Sequence, residues 1–190
     1  MRIAIDLDNT VIDYGKAISR LALQEYGLEI SSKNELKCYL AKNFSEDEWT
    51  MAQGKLYGEY IQLAESYPEV LNVLRALRDR HEINIEITSH KTRYPVMGQP
   101  INLREKAEAW LRHHQIVPPL ISRVVFFETK AEKIDYVNRF DVVIDDLVDI
   151  LDFCDDAASK KIHFNSECRG ACDHICIASW GSLLKHVITS

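Results

Sequence analysis

At 190 residues, 46% apolar and 27% charged, the chain has the make-up of a globular protein with room for one domain and an insertion. No apolar run approaches the roughly 18 residues of a membrane span, and the first strand pattern begins at Ile3, leaving no room for a signal peptide; a cytoplasmic location is expected. A net charge of −6 argues against a long nucleic-acid partner, and the five cysteines, in that compartment, are expected to be thiols rather than a disulfide framework.

The chain opens on Ile3-Ala4-Ile5-Asp6-Leu7-Asp8-Asn9-Thr10, a short apolar run with β-branched residues that leads into two carboxylates and a small polar turn. Such a run predicts a buried strand. Two acids at its carboxyl end are costly unless a cation sits beside them, and Mg²⁺, bound through one or two carboxylates and substrate phosphate oxygens, is the usual partner. The competing reading is a plain turn after a core strand.

Ile18, Leu21, Ala22 and Tyr26 then recur at helical spacing, and Gly27 stops that helix. Ser32 to Glu35 and Ser45 to Glu48 both fit capping boxes. The second opens a long run to about Glu65 that holds Trp49, Gln53, Tyr57 and Tyr60 near one another on a helical wheel. Aromatics at that spacing are more often core, and Trp49 is expected to be. Gln53 is the better candidate for substrate specificity. After Pro68, the residues Val70, Val73, Leu74 and Leu77 form an apolar helical face. The next strand signal is Ile83 to Ile87, followed by Thr88 and Ser89. Some fifty mostly helical residues therefore separate the first two strands, far more than a crossover needs. Residues 14–67 are expected to be a helical cap inserted into a core made of 1–13 and 68–190.

The loop from Ser89 to Pro100 carries His90, Lys91 and Arg93, and Asn102 to Glu105 caps another helix with Leu103, Ala107, Trp110 and Leu111 inward. Val124 to Phe127 predicts a strand, and Thr129 to Glu132 a capping box opening a helix with Ile134 and Val137 buried. Val142-Val143-Ile144 leads into Asp145-Asp146 and an acidic helix. A strand at Ile162 to Phe164, an edge strand at Ile175 to Ala178 and a final helix around Leu183 to Ile188 complete the chain. Strand–helix alternation outside the insertion implies a parallel, three-layer α/β/α sheet, whose ligands bind at the carboxyl ends of the strands. Cys168, Cys172 and Cys176, with His163 and His174 nearby, have a spacing unlike common zinc sites, so thiols are preferred to a metal there and a metal to disulfides.

Four features stand in order: Asp6-x-Asp8-Asn9-Thr10, Thr88 after a strand, a lysine near Val124–Phe127, and Asp145-Asp146 after a strand. Together they resemble the haloacid dehalogenase-like phosphohydrolase superfamily, whose Rossmann-like core often carries a cap after the first motif. Trp49-Thr50, Gln53-Gly54, Tyr57-Gly58, Ser89-His90-Lys91-Thr92 and Ile144 to Leu147 resemble a small branch of it. The resemblance implies a Mg²⁺-dependent phosphatase acting on a small phosphorylated metabolite through an aspartyl-phosphate. It implies Asp6 as nucleophile and Asp8 as acid and base. Asp6, the backbone carbonyl of Asp8, Asp145 and Asp146 would serve the metal. The Thr88 hydroxyl would hold phosphoryl oxygens, and Asn9, Thr10, Ser89, His90 and Lys91 are further substrate-binding candidates. Lys130 is favoured as the charge-balancing lysine by its place at the first turn of its helix, with Lys133 the alternative. A phosphomutase, a nucleotidase, a polynucleotide 3′-phosphatase and a non-enzymatic binding module on the same fold remain open, and a dehalogenase would need neither the acid at Asp8 nor the metal.

Overall fold

The computed structural model describes residues 1–80, 82–121, 123–155, 160–166 and 173–188. The chain divides into two compact units. One comprises Met1–Ile12, Ser66–Lys91 and His114–Ser190, and the other Asp13–Glu65 and Thr92–His113.

In the first unit, six strands form one parallel sheet: β1 (Arg2–Ile5), β4 (Asn84–His90), β5 (Arg123–Phe127), β6 (Val142–Asp145), β7 (Lys160–Phe164) and β8 (Ile175–Ile177). Their spatial order is β5-β4-β1-β6-β7-β8, so β1 lies inside the sheet with β4 and β6 as neighbours. The register sets Ile5 opposite Ile87 on one side and Ile144 on the other. The residues that follow these three strands are thereby brought to one end of the sheet. Ile3, Ala4 and Ile5 are fully buried, as a strand with neighbours on both edges and helices on both faces requires.

Helices α4 (Val70–Arg78), α6 (Lys130–Val137), α7 (Val148–Asp152) and α8 (Trp180–Ile188) belong to the same unit and flank the sheet in three layers. The expected inward face of α4, Val70, Val73, Leu74 and Leu77, is buried. Ala4 and Val143 of the sheet pack with Val137, Phe140, Ile150, Leu151 and Cys154 in one apolar cluster. At the start of α6 the Thr129 hydroxyl accepts from the Glu132 backbone, and the Glu132 carboxylate accepts from the Thr129 backbone in return. That reciprocal cap fixes where α6 begins, and so which of its residues face the sheet.

The second unit is helical: α1 (Gly15–Tyr26), α2 (Lys33–Asn43), α3 (Glu46–Gly58), a 3₁₀ turn at Ile61–Leu63, and α5 (Leu103–His113). The two-residue strands β2 (Ile12–Asp13) and β3 (Glu65–Ser66) lie where the chain passes between units. The sequence-based boundary was 14–67; the helical unit of the structure also takes in Thr92–His113. Packing explains this. The indole N–H of Trp110 on α5 donates to the Ala64 carbonyl at 2.9 Å. Trp49 is buried, as expected of a core aromatic. Gly54 and Gly58, one turn apart on α3, face the segment before α5. A β-carbon at Gly54 would come 2.9 Å from Pro95 Cβ and 3.0 Å from the Met97 carbonyl, and one at Gly58 would meet Ile101 at 3.3 Å. The paired glycines let that segment lie against the helix.

Among the described residues, no helix is long and apolar enough to cross a membrane. Cys176 is disulfide-bonded, against the expectation of free thiols, and a sulfur so bonded is withdrawn from metal ligation. Cys38 and Cys154 are free. Cys168 and Cys172 lie outside the described residues.

Candidate active site

Asp6 directly follows β1, and its backbone N–H donates to the Ile144 carbonyl of β6 at 2.9 Å. Asp145 ends β6 and Asp146 follows it. Asp6, Asp145 and Asp146 each offer a carboxylate oxygen within 4.8 Å of the others. Asp6 and Asp145 are buried, and Asp146 is partly open. Into this cluster comes Lys133, 1% exposed, with Nζ 2.5 Å from Asp6 Oδ1 and 2.6 Å from Asp145 Oδ2.

The electrostatics are those of a site with excess negative charge. Burial pushes the Asp6 carboxyl well above the usual carboxylate range; the Lys133 ammonium works against this, while Asp145, Asp146 and Asp8 add to it. Burial alone would lower Lys133, yet the attraction of Asp145 and Asp6 outweighs it and the ammonium is held more firmly than usual. One lysine does not neutralise three acids. An all-oxygen donor set with two buried carboxylates and one partly open fits a hard divalent cation such as Mg²⁺.

Asp8 stands two residues beyond Asp6 and is gripped by a second buried lysine. Lys91 Nζ lies 2.8 Å from Asp8 Oδ2 and 3.1 Å from Oδ1. The turn carrying Asp8 is tied back on itself, with the Asn9 N–H donating to the Ile12 carbonyl at 3.0 Å and the Ile12 N–H to the Leu7 carbonyl at 2.9 Å. Asn9 takes a left-handed conformation (φ 60°), which asparagine tolerates better than most residues. Its amide then donates to Asp146 Oδ2 at 3.1 Å. The Trp180 indole N–H donates to the Thr10 carbonyl at 2.8 Å, anchoring the turn to α8. Thr88 and Ser89, near the end of β4, are both 1% exposed. The buried hydroxyls Thr10 Oγ1 and Ser89 Oγ have no hydrogen-bond partner among the described residues, a costly state for a polar atom unless a ligand or water completes it.

No protein-family model and no curated protein matches the chain. Solved structures do. YfnB from Bacillus subtilis, described as a HAD-hydrolase and bound to magnesium, superposes with a TM-score of 0.66 at 12% identity, covering 100% of this chain and 98% of that one. A protein of Clostridium difficile described as a phosphatase gives 0.67 at 15% identity, over 98% and 97% of the two chains. A dehalogenase with an intermediate complex gives 0.61 at 10% identity, over 100% and 97%. The chain has the haloacid dehalogenase (HAD)-like fold.

On this HAD-like scaffold the expected site residues divide. Asp6, Asp145, Asp146 and Lys133 meet, while Asp8 and Lys91 form their own ion pair. The lysine that reaches the acids is Lys133 and not Lys130, which sequence position had favoured. Lys130 is exposed and pairs with Asp149 at 3.0 Å on the surface. The reason is helical phase. Lys130 is the first residue of α6, whereas Lys133 lies one turn in on the buried face that it shares with Val137. His90 is half-buried beside the Glu128 carbonyl, with its Nε2 3.2 Å away, and Arg93 is exposed. Gln53 sits half-buried on α3, in the helical unit.

Three pairings had no counterpart in the sequence reading: Lys91 with Asp8, Asn9 with Asp146, and His163 Nε2 with the Asp146 carbonyl at 3.1 Å. Each joins residues on or just beyond neighbouring strands of the sheet, which periodicity alone does not reveal. For Lys133, the signal was present in its four-residue spacing from Val137.

Proposed function

We propose that the chain is a Mg²⁺-dependent phosphatase that hydrolyses a small phosphomonoester through an aspartyl-phosphate on Asp6. The observation that carries this reading is the pair Asp6 and Asp8, each at the carboxyl end of β1 and each held by its own buried lysine. The HAD-type hydrolases among the structural neighbours support it at the level of hydrolysis.

Asp6 supplies the nucleophilic oxygen. As its bond to phosphorus forms, the ester P–O bond breaks, and the leaving oxygen keeps the bonding pair and takes a proton from Asp8. Water then attacks the phosphorus of the aspartyl-phosphate, yields its proton to Asp8, and frees Asp6. Lys133 balances the charge of Asp6 from a fixed position throughout. Thr88 and the backbone N–H groups after β1 and β4 hold phosphoryl oxygens. Asp6, Asp145, Asp146 and the Asp8 carbonyl would hold Mg²⁺, which when bound neutralises phosphoryl charge and orients the ester. A halide leaves without a proton, so a dehalogenase has no use for Asp8. A small metabolite suits a protein of net charge −6, in which only the site itself must attract a phosphate.

The test is hydrolysis of p-nitrophenyl phosphate by the purified chain, with and without Mg²⁺ and with Asp6→Asn as control. Activity should vanish in chelator, return with Mg²⁺, and be absent in D6N. Full activity in chelator would sink the metal assignment, and turnover by D6N the covalent route.

A further inference from the structure

We propose that Lys91 is a positioning residue that fixes the carboxyl group of Asp8 for its proton transfers; this rests on the phosphatase reading above. Lysines are rarely buried, yet Lys91 is 3% exposed. It is immobilised at both ends. Its backbone N–H donates to the Phe127 carbonyl at 3.0 Å, carrying the β4–β5 ladder one residue beyond His90. Its ammonium spans both oxygens of Asp8, at 2.8 and 3.1 Å. The carboxylate it holds stands in a turn whose own backbone is tied to Ile12 and Leu7.

In the sequence Lys91 is a substrate-binding candidate, beside Ser89 and His90. The geometry points elsewhere. An ammonium engaged by both oxygens of one carboxylate orients that carboxylate, and it does so from the end of the neighbouring strand. Asp8 must meet two different oxygens in the proposed reaction, the leaving oxygen in the first half and water in the second. A short carboxyl side chain left free to rotate would present its proton in many orientations, and misplacement by about 1 Å costs on the order of 100-fold. Lys91 removes that freedom without touching the phosphoryl group.

This role separates from phosphate binding by leaving group. With p-nitrophenyl phosphate the leaving oxygen needs little protonation, so phosphorylation of Asp6, read as the pre-steady-state burst of nitrophenol, depends weakly on Asp8. With an alkyl phosphate such as glycerol phosphate, both halves need it. Lys91→Met should therefore lower alkyl phosphate turnover by about 10- to 100-fold, and lower the nitrophenol burst rate by less than about threefold. Lys91→Arg, which keeps a cation able to grip a carboxylate, should recover most of the alkyl activity. On an Asp8→Asn background, K91M should cost no further alkyl activity beyond about twofold, because residues acting as a unit are not additive. That double variant also carries no unpaired charge at this pair, which keeps the comparison open if K91M alone folds poorly.

Equal losses of the nitrophenol burst and of alkyl turnover in K91M would overturn the proposal and make Lys91 a phosphate ligand. So would full alkyl activity in K91M, or a further large loss on the D8N background. Absence of hydrolysis of either ester by the unmodified chain would overturn the phosphatase reading itself, and this proposal with it.

Discussion

Replacing Lys133 by Met keeps most of the side chain's length and apolar stem and removes only its charge. Lys133 is 1% exposed and holds Asp6 at 2.5 Å and Asp145 at 2.6 Å, both of them buried. Breaking a buried ion pair by deleting one partner costs about 3–5 kcal/mol, because the remaining charge has neither water nor a counter-ion. Two carboxylates are orphaned here, so the upper part of that range is expected in chelator. Adding Mg²⁺ should recover part of the loss, since a cation bound by the same acids does some of the lysine's work. Lys130→Met is the internal control. Its ion pair with Asp149 is exposed on both sides and is worth about 0–1 kcal/mol. Urea unfolding of the three proteins, in chelator and in Mg²⁺, gives the free energies directly. A K133M loss below about 1 kcal/mol, or a K130M loss of equal size, would refute the reasoning that makes Lys133 the keystone of the acid cluster.

Two further expectations concern the helical unit. Burial and a hydrogen bond to Glu25 push the Tyr60 phenol up from about 10 to about 12, so its contribution to stability is complete below about 10 and disappears as pH rises through about 12. Tyr60→Phe should flatten that alkaline loss in an unfolding series across the window, and an unchanged slope would exclude Tyr60 as its source. Gly54→Ala should destabilise the chain by about 1–3 kcal/mol through overpacking, since the new methyl would lie 2.9 Å from Pro95 Cβ; an unchanged unfolding midpoint would mean that the segment at Pro95 gives way freely.

The sheet was legible in the sequence because strands buried on both faces are short, almost wholly apolar runs, and because their ends are punctuated by capping residues such as Thr129. The order of acid pair, hydroxyl, lysine and acid pair along those strand ends carried the fold as well. What could not be read was adjacency. The spatial order β5-β4-β1-β6 brings the ends of β4 and β1 together, and only then does Lys91 meet Asp8 across 83 positions of sequence. The place of α5 is a similar case. Its apolar face at Leu103, Ala107, Trp110 and Leu111 was plain, but nothing in that pattern said that its surroundings would be Ala64 and the helical unit. The lysine assignment turned on a finer point. A helix N-terminus was located correctly, yet which way its first and fourth residues face depends on the phase of the helix against the sheet, and that is set by Val137.

The two lysines also explain each other. Asp6, Asp8, Asp145 and Asp146 bring four carboxylates to one end of the sheet, where Lys91 pairs with Asp8 and Lys133 with Asp6 and Asp145. Asn9, the side chain on Asp146, is neutral. Asp6, itself buried, feels repulsion from the three other acids in addition to the cost of its burial. A divalent cation held by Asp6, Asp145 and Asp146 would supply two positive charges beside these acids. A third lysine in its place could supply only one, and would leave no open position for a phosphoryl oxygen.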